Sequence, residues 1–196
     1  MSELAQPIYD WLYRDLSLRA AGLILGAFLV GLHLYAFFNR GTLLPWLKLA
    51  PRQKTVGIVL LTVDLIWAMI LMSSMDLGEF WKIRKIALIL LPVLYGLMIL
   101  YVDEFLTARA LGILMLLGAC PFLDAAFLEM PLSRLLLPLV AYVWIVLGMF
   151  WVGMPYLLRD QINWLAASES RWKGLSLGGA IYGGLVLACA LAWWGH

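Results

Sequence analysis

Six apolar stretches of membrane-spanning length fill most of this chain and limit what it can fold into. A bilayer core is about 30 Å thick and a helix rises about 1.5 Å per residue, so about 20 apolar residues cross it. The sequence therefore predicts an all-α, polytopic transmembrane helical bundle of six helices, in one integral membrane domain covering residues 1–196. The stretches are residues 18–38, 56–75, 86–102, 105–128, 132–158 and 175–194.

The composition agrees with this class of protein. Of the 196 residues, 64% are hydrophobic and 13% are charged, whereas soluble domains have about 45–50% apolar and about 25% charged residues. The net charge of +2 provides no basic patch for nucleic acid. The expected partners are the lipid bilayer and either another membrane protein or further copies of the chain.

The segment before the first stretch has the pattern of a short amphipathic helix. Pro7 suits a first helical turn, and Ile8, Trp11 and Leu12 recur at helical spacing. Tryptophan favours the depth of the lipid headgroups. We therefore expect residues 1–17 to form an N-terminal interfacial helix and residues 18–196 to form the transmembrane bundle.

The number of helices depends on one short polar turn. Asp103-Glu104 separates the third and fourth stretches, and without a turn there the count drops to five. With six spans, six Lys and Arg residues fall on one side of the membrane and eight on the other. This small difference leans towards both termini outside the cytoplasm and leaves the opposite orientation open.

Small residues spaced four apart predict close helix packing in the first and last spans. Such pairs let two helix backbones approach each other. Whether the partner helix lies in the same chain or in another protein is open at this stage. The pairs are Gly22 and Gly26 in the first span, and Gly174 and Gly178, then Gly179 and Gly183, in the last.

A weak similarity between the halves suggests a 3+3 inverted repeat. Residues 16–24 resemble residues 106–114, with Arg19 matching Arg109 and Gly22 matching Gly112. Inverted repeats are a known route to transporter folds, whose binding sites lie at the midplane between the halves. The alternative is that Arg-Ala-x-Gly is simply a common way to begin a membrane helix.

Asp64 is the sharpest candidate for a functional residue. It lies near the middle of the second stretch, where a charged carboxylate costs about 2.5–3.5 kcal/mol on insertion scales. It must face the bundle interior, be protonated or find a donor. His33, at a similar depth in the first span, is a candidate partner that would relay a proton. The alternatives are a structural bond between helices for Asp64, and a backbone bond or a haem or chlorin ligand for His33.

Three further polar residues lie at span ends. Arg109 and Asp124 bracket the fourth span, and Arg19 has the corresponding place in the first. Arginines at such positions commonly extend to the headgroups, and Asp124, just after Pro121, would cap a bent helix or meet a cation. They complete the candidate intramembrane polar site with Asp64 and His33.

These observations leave three functions open. The chain has no phosphate-binding loop, no Ser-His-Asp set and no His/Cys metal spacing, so an enzyme is disfavoured and no motif identifies a cofactor. The first hypothesis is a non-catalytic accessory, scaffold or assembly subunit of a membrane complex. The second is a small proton-coupled transporter that uses Asp64, and the third is a cofactor-binding enzyme subunit. In each case we expect a multi-pass protein of a bacterial-type cytoplasmic membrane.

Overall fold

The computed structural model describes residues 2–102 and 105–194, which form helices joined by short turns. The turn predicted at Asp103-Glu104 and the terminal His196 lie outside the described residues. Six described segments are long and apolar enough to cross a membrane. The described helices are α1 (Ser2–Tyr13), α2 (Leu18–Phe38), α3 (Arg40–Leu49), α4 (Lys54–Ser74), α5 (Ile83–Tyr101), α6 (Leu106–Ala125), α7 (Leu136–Gly153), α8 (Tyr156–Ala166) and α9 (Glu169–Ala192).

The six long helices alternate in direction. We call the side where α2 begins and α9 ends the near side, and the opposite side the far side. Trp172 at the start of α9 donates from Nε1 to the Ala36 carbonyl near the end of α2, at 2.8 Å. Trp194, just after α9, donates to the Ser133 hydroxyl on the near side, also at 2.8 Å. These two bonds fix α9 antiparallel to α2.

Helix α6 is central and α5 is peripheral. α6 packs on α7 and α4 and also touches α1 and α2, because small residues such as Ala108, Ala110 and Gly112 face its neighbours and are buried. α5 has no buried residue and packs mainly on α4. Its outward isoleucines and leucines, such as Ile89 and Leu100, are exposed for contact with lipid. This places α5 as the outer wall of the α4–α6 region.

The buried side chains form two groups. The larger one joins α2, α9, the end of α6 and the start of α7, with Leu25, Leu137 and Val186 at its centre. The smaller one lies between α4, α5 and α6, around Leu61 and Leu106. The protein therefore has a tightly packed α2–α9 side and a thinner α4–α5 side.

The end of one predicted span was wrong. The fifth span was predicted over residues 132–158, but it ends at Gly153 and the chain turns there into α8. The helix stops there because Met154 comes directly before Pro155, and the residue before a proline disfavours the helical conformation. The segment between α2 and α4 is mostly helical, because α3 occupies Arg40–Leu49.

The helix packing of the two halves is unequal. In a 3+3 inverted repeat, α2 would correspond to α6, α4 to α7 and α5 to α9. The close α2–α9 pair would then require an equally close α6–α5 pair, but α5 packs mainly on α4, and α6 packs mainly on α7 and α4. The proposed repeat therefore stays a prediction from sequence, without matching helix pairs in the described residues.

Helix α1 lies against α4. Trp67 of α4 donates from Nε1 to the Tyr13 hydroxyl at 2.9 Å, and Ile8 and Leu12 lie beside Ile66 of α4. Burial raises the pKa of Tyr13 to about 12, so its hydroxyl is neutral at physiological pH. The predicted N-terminal helix is therefore docked along the near-side half of α4.

Candidate functional site

The glycines of the first and last spans pack against each other. An added Cβ at Gly26 would lie 3.0 Å from the Gly183 carbonyl, and one at Gly183 would lie 3.0 Å from the Gly26 carbonyl. Gly22 is covered by Trp194. These distances leave no room for a side chain, so α2 and α9 meet backbone to backbone. The partner of Gly22, Gly26 and Gly183 is therefore the other span of the same chain.

Not every predicted glycine lies in this interface. Gly174 and Gly178 have no described atom within 4 Å of an added Cβ, and the neighbouring Leu175 and Leu177 are exposed. Gly178 and Gly179 are adjacent in sequence, but successive residues point in different directions around a helix. Of these two neighbours, Gly179 faces α2, whereas Gly178, like Gly174, is on an outer surface.

His33 contacts α9 and does not pair with Asp64, the partner predicted from the sequence. Its Nδ1 makes a 2.8 Å hydrogen bond with the Leu29 carbonyl one turn earlier in α2. The ring packs over Gly179, where an added Cβ would lie 2.5 Å from Cγ. Asp64 lies on α4 and faces α5 and α6. The structure does not bring these two side chains together.

A second glycine contact, which the sequence analysis does not predict, joins α6 and α7. An added Cβ at Gly112 would lie 2.8 Å from the Gly148 carbonyl, and one at Gly148 would lie 2.7 Å from the Gly112 carbonyl. The available signal was Ala108-x-x-x-Gly112, two small residues four apart that are both buried. This contact holds α7 on one side of α6, while α4 lies on another.

Asp64 is buried without a hydrogen-bond partner. Its exposed fraction is 2%, and neither carboxyl oxygen has a partner among the described residues. Buried polar groups in proteins are nearly always bonded, and an unsatisfied one costs about 1–3 kcal/mol. An unpaired acid at the middle of a membrane helix is therefore the leading candidate for a functional residue in this bundle.

Asp64 lines a small cavity between α4, α5 and α6. The cavity has a volume of about 170 Å³. Leu61, Asp64, Leu65 and Ala68 supply the α4 wall at helical spacing. Apart from Tyr95, the α5 and α6 walls are apolar and include Leu91, Leu94, Met98 and Ile113.

Tyr95 is the other polar residue of the cavity lining, and its proton is already used. Its hydroxyl lies 2.9 Å from Oγ1 of Thr62, which donates its own proton to the Ile58 carbonyl at 2.7 Å. Since a hydroxyl has one proton, Tyr95 is the donor to Thr62. Tyr95 therefore ties α5 to α4 and has no proton left to give to Asp64.

A larger crevice adjoins the Asp64 cavity towards the near side. It has a volume of about 390 Å³ and lies between α1, α4 and α5. Ser73, close to the near-side end of α4, and Pro92 of α5 are part of its lining. Leu65 lines both this crevice and the Asp64 cavity. Leu65 is therefore a wall residue that the two cavities share.

The remaining predicted polar residues lie elsewhere. Arg109 donates from Nη1 to the Val152 carbonyl at 2.9 Å, and so caps the last turn of α7 on the far side. Arg19 and Asp124 are exposed near the near-side ends of α2 and α6. None of the three is part of the Asp64 cavity lining.

Two further arginines cap helix ends as Arg109 does. Arg84 donates to the Met75 carbonyl at the end of α4, at 2.5 Å, and Arg40 donates to the Ala166 carbonyl at the end of α8, at 3.4 Å. A guanidinium satisfies carbonyls that have no partner within the helix. These cations stabilise the fold at the membrane boundaries. In the part of the chain that the structure describes, Asp64 has no basic partner.

The fold and the site define a multi-pass integral membrane protein of six spans with a buried acid in its α4–α6 region. Within the described residues, no group of three His, Cys, Asp or Glu side chains is placed to hold a metal ion. No protein-family model, curated protein or solved structure matches the chain.

Proposed function

We propose that this protein is a small proton-coupled carrier in which Asp64 binds the coupling proton. The observation that carries the proposal is the geometry of Asp64, which is 2% exposed, lacks a hydrogen-bond partner among the described residues and lines a cavity. A carboxyl that served only to join two helices would be bonded across their interface. An intramembrane acid that faces a cavity is typical of a proton or ion pathway.

The helices around Asp64 also suit a carrier. α5 has no buried residue, so it can move without disrupting the α2–α9 core. The Tyr95–Thr62 bond holds it beside the cavity in this conformation. Pro92 lies within α5 and removes a backbone hydrogen bond near the cavity. The proposal is that α5 moves against α4 to expose Asp64 in turn to the two sides of a bacterial-type cytoplasmic membrane.

The test is solute-driven proton movement in membrane vesicles. Everted vesicles that contain the wild-type protein are acidified by respiration, and a pH-sensitive dye reports alkalinisation when each solute of a fixed panel is added. The panel covers amino acids, sugars, carboxylic acids, aromatic compounds and organic amines. Asp64→Asn should abolish the response, whereas Asp160→Asn, at an exposed carboxylate on α8, should retain it. If no solute gives an Asp64-dependent signal, the carrier proposal fails.

A second candidate is the accessory-subunit function that the glycine pattern suggested first. Its support is narrower than the sequence indicated, because Gly22, Gly26, Gly179 and Gly183 contact helices of their own chain. Gly174 and Gly178 still face outward on α9. If a partner helix binds there, Gly178→Leu should release proteins that co-purify with the wild type in mild detergent. Recovery of the wild type as a lone monomer contradicts this alternative.

A further inference from the structure

We propose that the ligand exchanged for the proton at Asp64 is a small hydrophobic monovalent organic cation, such as a quaternary ammonium ion. This inference rests on the carrier function proposed above and adds a ligand class to it. It follows from three properties of the Asp64 cavity, which are its charge, the scarcity of oxygen ligands in its walls and its size.

The charge of the site requires either a proton or a cation from outside. Among the described residues, no Lys, Arg or His lines the cavity, and Tyr95 has already given its proton to Thr62. An isolated carboxylate in apolar surroundings is strongly disfavoured. The occupied states that keep the site neutral are therefore the protonated acid and the carboxylate paired with a bound monovalent cation.

The walls exclude a bare metal ion. Hard cations such as Ca²⁺ take six to eight oxygen ligands, and Mg²⁺ demands near-ideal octahedral coordination. The side chains of this cavity offer only the Asp64 carboxyl and the Tyr95 hydroxyl. The leucines, Met98 and Ile113 cannot replace lost hydration. A cation that enters must carry its own apolar groups, as an alkylammonium ion does.

The volume limits the ligand to a small one. Drug-sized ligands occupy sites of about 300–1,000 Å³, and the Asp64 cavity has about 170 Å³. The aromatic ring of Tyr95 is part of the wall, and such rings attract quaternary ammonium groups through their π-faces. A cation with a few short alkyl groups satisfies the size, the apolar walls and the charge together.

Binding then releases a proton in a balanced exchange. The protonated Asp64 loses its O–H proton to water, and the resulting carboxylate pairs with the organic cation, so the site stays neutral. The titratable group that faces Asp64 across the cavity is Tyr95 of α5, and α6 contributes the apolar Ile113. The described lining contains no second acid or base that would compete for the proton. The exchange therefore stands at about one proton for one cation.

The experiment uses the purified protein in detergent and tetraethylammonium as the probe. Calorimetry measures binding, and an indicator dye in weak buffer measures released protons. We expect tetraethylammonium to bind with release of about one proton. Tetraethylmethane, its neutral isostere, should bind about 30-fold more weakly or worse, as expected for loss of one partner of a buried charge pair. Sodium chloride should give neither binding heat nor protons.

The variants test the role of Asp64 itself. Asp64→Asn should bind tetraethylammonium with an affinity about 30-fold lower or worse, and Asp160→Asn should bind it like the wild type. Equal binding of tetraethylmethane, or binding without proton release, overturns the ligand class even if Asp64→Asn fails to fold, because both are measured on the wild type. Preferential binding of sodium overturns it as well.

The two proposals fail in different ways. If tetraethylammonium binds and releases a proton but no solute drives protons in vesicles, the ligand class stands and the carrier function is wrong. If vesicles show Asp64-dependent proton movement with another solute class and tetraethylammonium does not bind, the ligand class is wrong and the carrier function stands.

Discussion

The packing of His33 over Gly179 makes a quantitative prediction about the α2–α9 interface. In Gly179→Ala, the new Cβ would lie 2.5 Å from His33 Cγ, where ordinary contacts begin at 3.4 Å. The ring must therefore move by about 1 Å or more. It cannot swing away freely, because its Nδ1 is bonded to the Leu29 carbonyl at 2.8 Å.

The expected cost combines overpacking with a weakened bond. Overpacking costs about 1–3 kcal/mol, and loss of a hydrogen bond adds about 1 kcal/mol. Gly179→Ala should therefore lower the free energy of unfolding by about 2–4 kcal/mol in total. Gly178→Ala is the matched control, because an added Cβ there meets open space. It should be neutral or stabilising by up to about 1 kcal/mol, since alanine favours helix more than glycine.

A double-mutant cycle tests the assigned cause. If the ring of His33 is the obstacle, Gly179→Ala should cost little in a His33→Ala background, so the interaction energy should approach the full cost of about 2–4 kcal/mol. Denaturant unfolding followed by tryptophan fluorescence in detergent provides the four free energies. Equal destabilisation by Gly178→Ala and Gly179→Ala, or additive effects of His33→Ala and Gly179→Ala, would refute the reasoning.

Three further predictions concern other contacts. Tyr95→Phe removes the bond that ties α5 to α4 and should speed the reaction of Asp64 with a hydrophobic carbodiimide, measured by mass spectrometry; an unchanged rate argues against α5 as the moving wall. Trp67→Phe removes the donor to Tyr13, so amide exchange in α1 should rise while exchange in α9 stays the same. Arg109→Met leaves the Val152 carbonyl without its charged donor and should lower the free energy of unfolding by about 1.5–3 kcal/mol. The control Arg19→Met replaces an exposed arginine and should leave this free energy nearly unchanged.

The sequence predicted the spans because apolar length alone determines them. The first span was predicted over residues 18–38, and α2 has these bounds. The fifth was too long, because the apolar run continues past Gly153 and hides the turn before Pro155. Hydropathy measures how far a chain stays apolar, but a turn between two apolar helices changes the backbone direction without changing that measure.

Helix faces were less predictable than helix ends. The depths of His33 and Asp64 were compatible with a contact, but His33 packs on Gly179 while Asp64 faces α5 and α6. Depth follows from counting residues, whereas a contact also requires that α2 and α4 be neighbours with matching rotations. The choice of α9 as the neighbour of α2 depends on backbone approach at Gly26 and Gly183, and spacing within one helix does not identify the partner helix.

The missing partner of Asp64 leads to a last prediction, which separates function from structure. If Asp64 were a structural residue, replacing it with an apolar side chain would destabilise the bundle. Since its carboxyl oxygens have no described partner, Asp64→Leu should instead raise the free energy of unfolding by about 1–3 kcal/mol, the cost of an unsatisfied buried group. Thr62→Val on the same helix removes a hydroxyl that is bonded twice and should lower it by about 1 kcal/mol. Destabilisation by Asp64→Leu would show that the acid supports the fold; stabilisation with loss of proton coupling would show that the protein keeps a costly residue for its function.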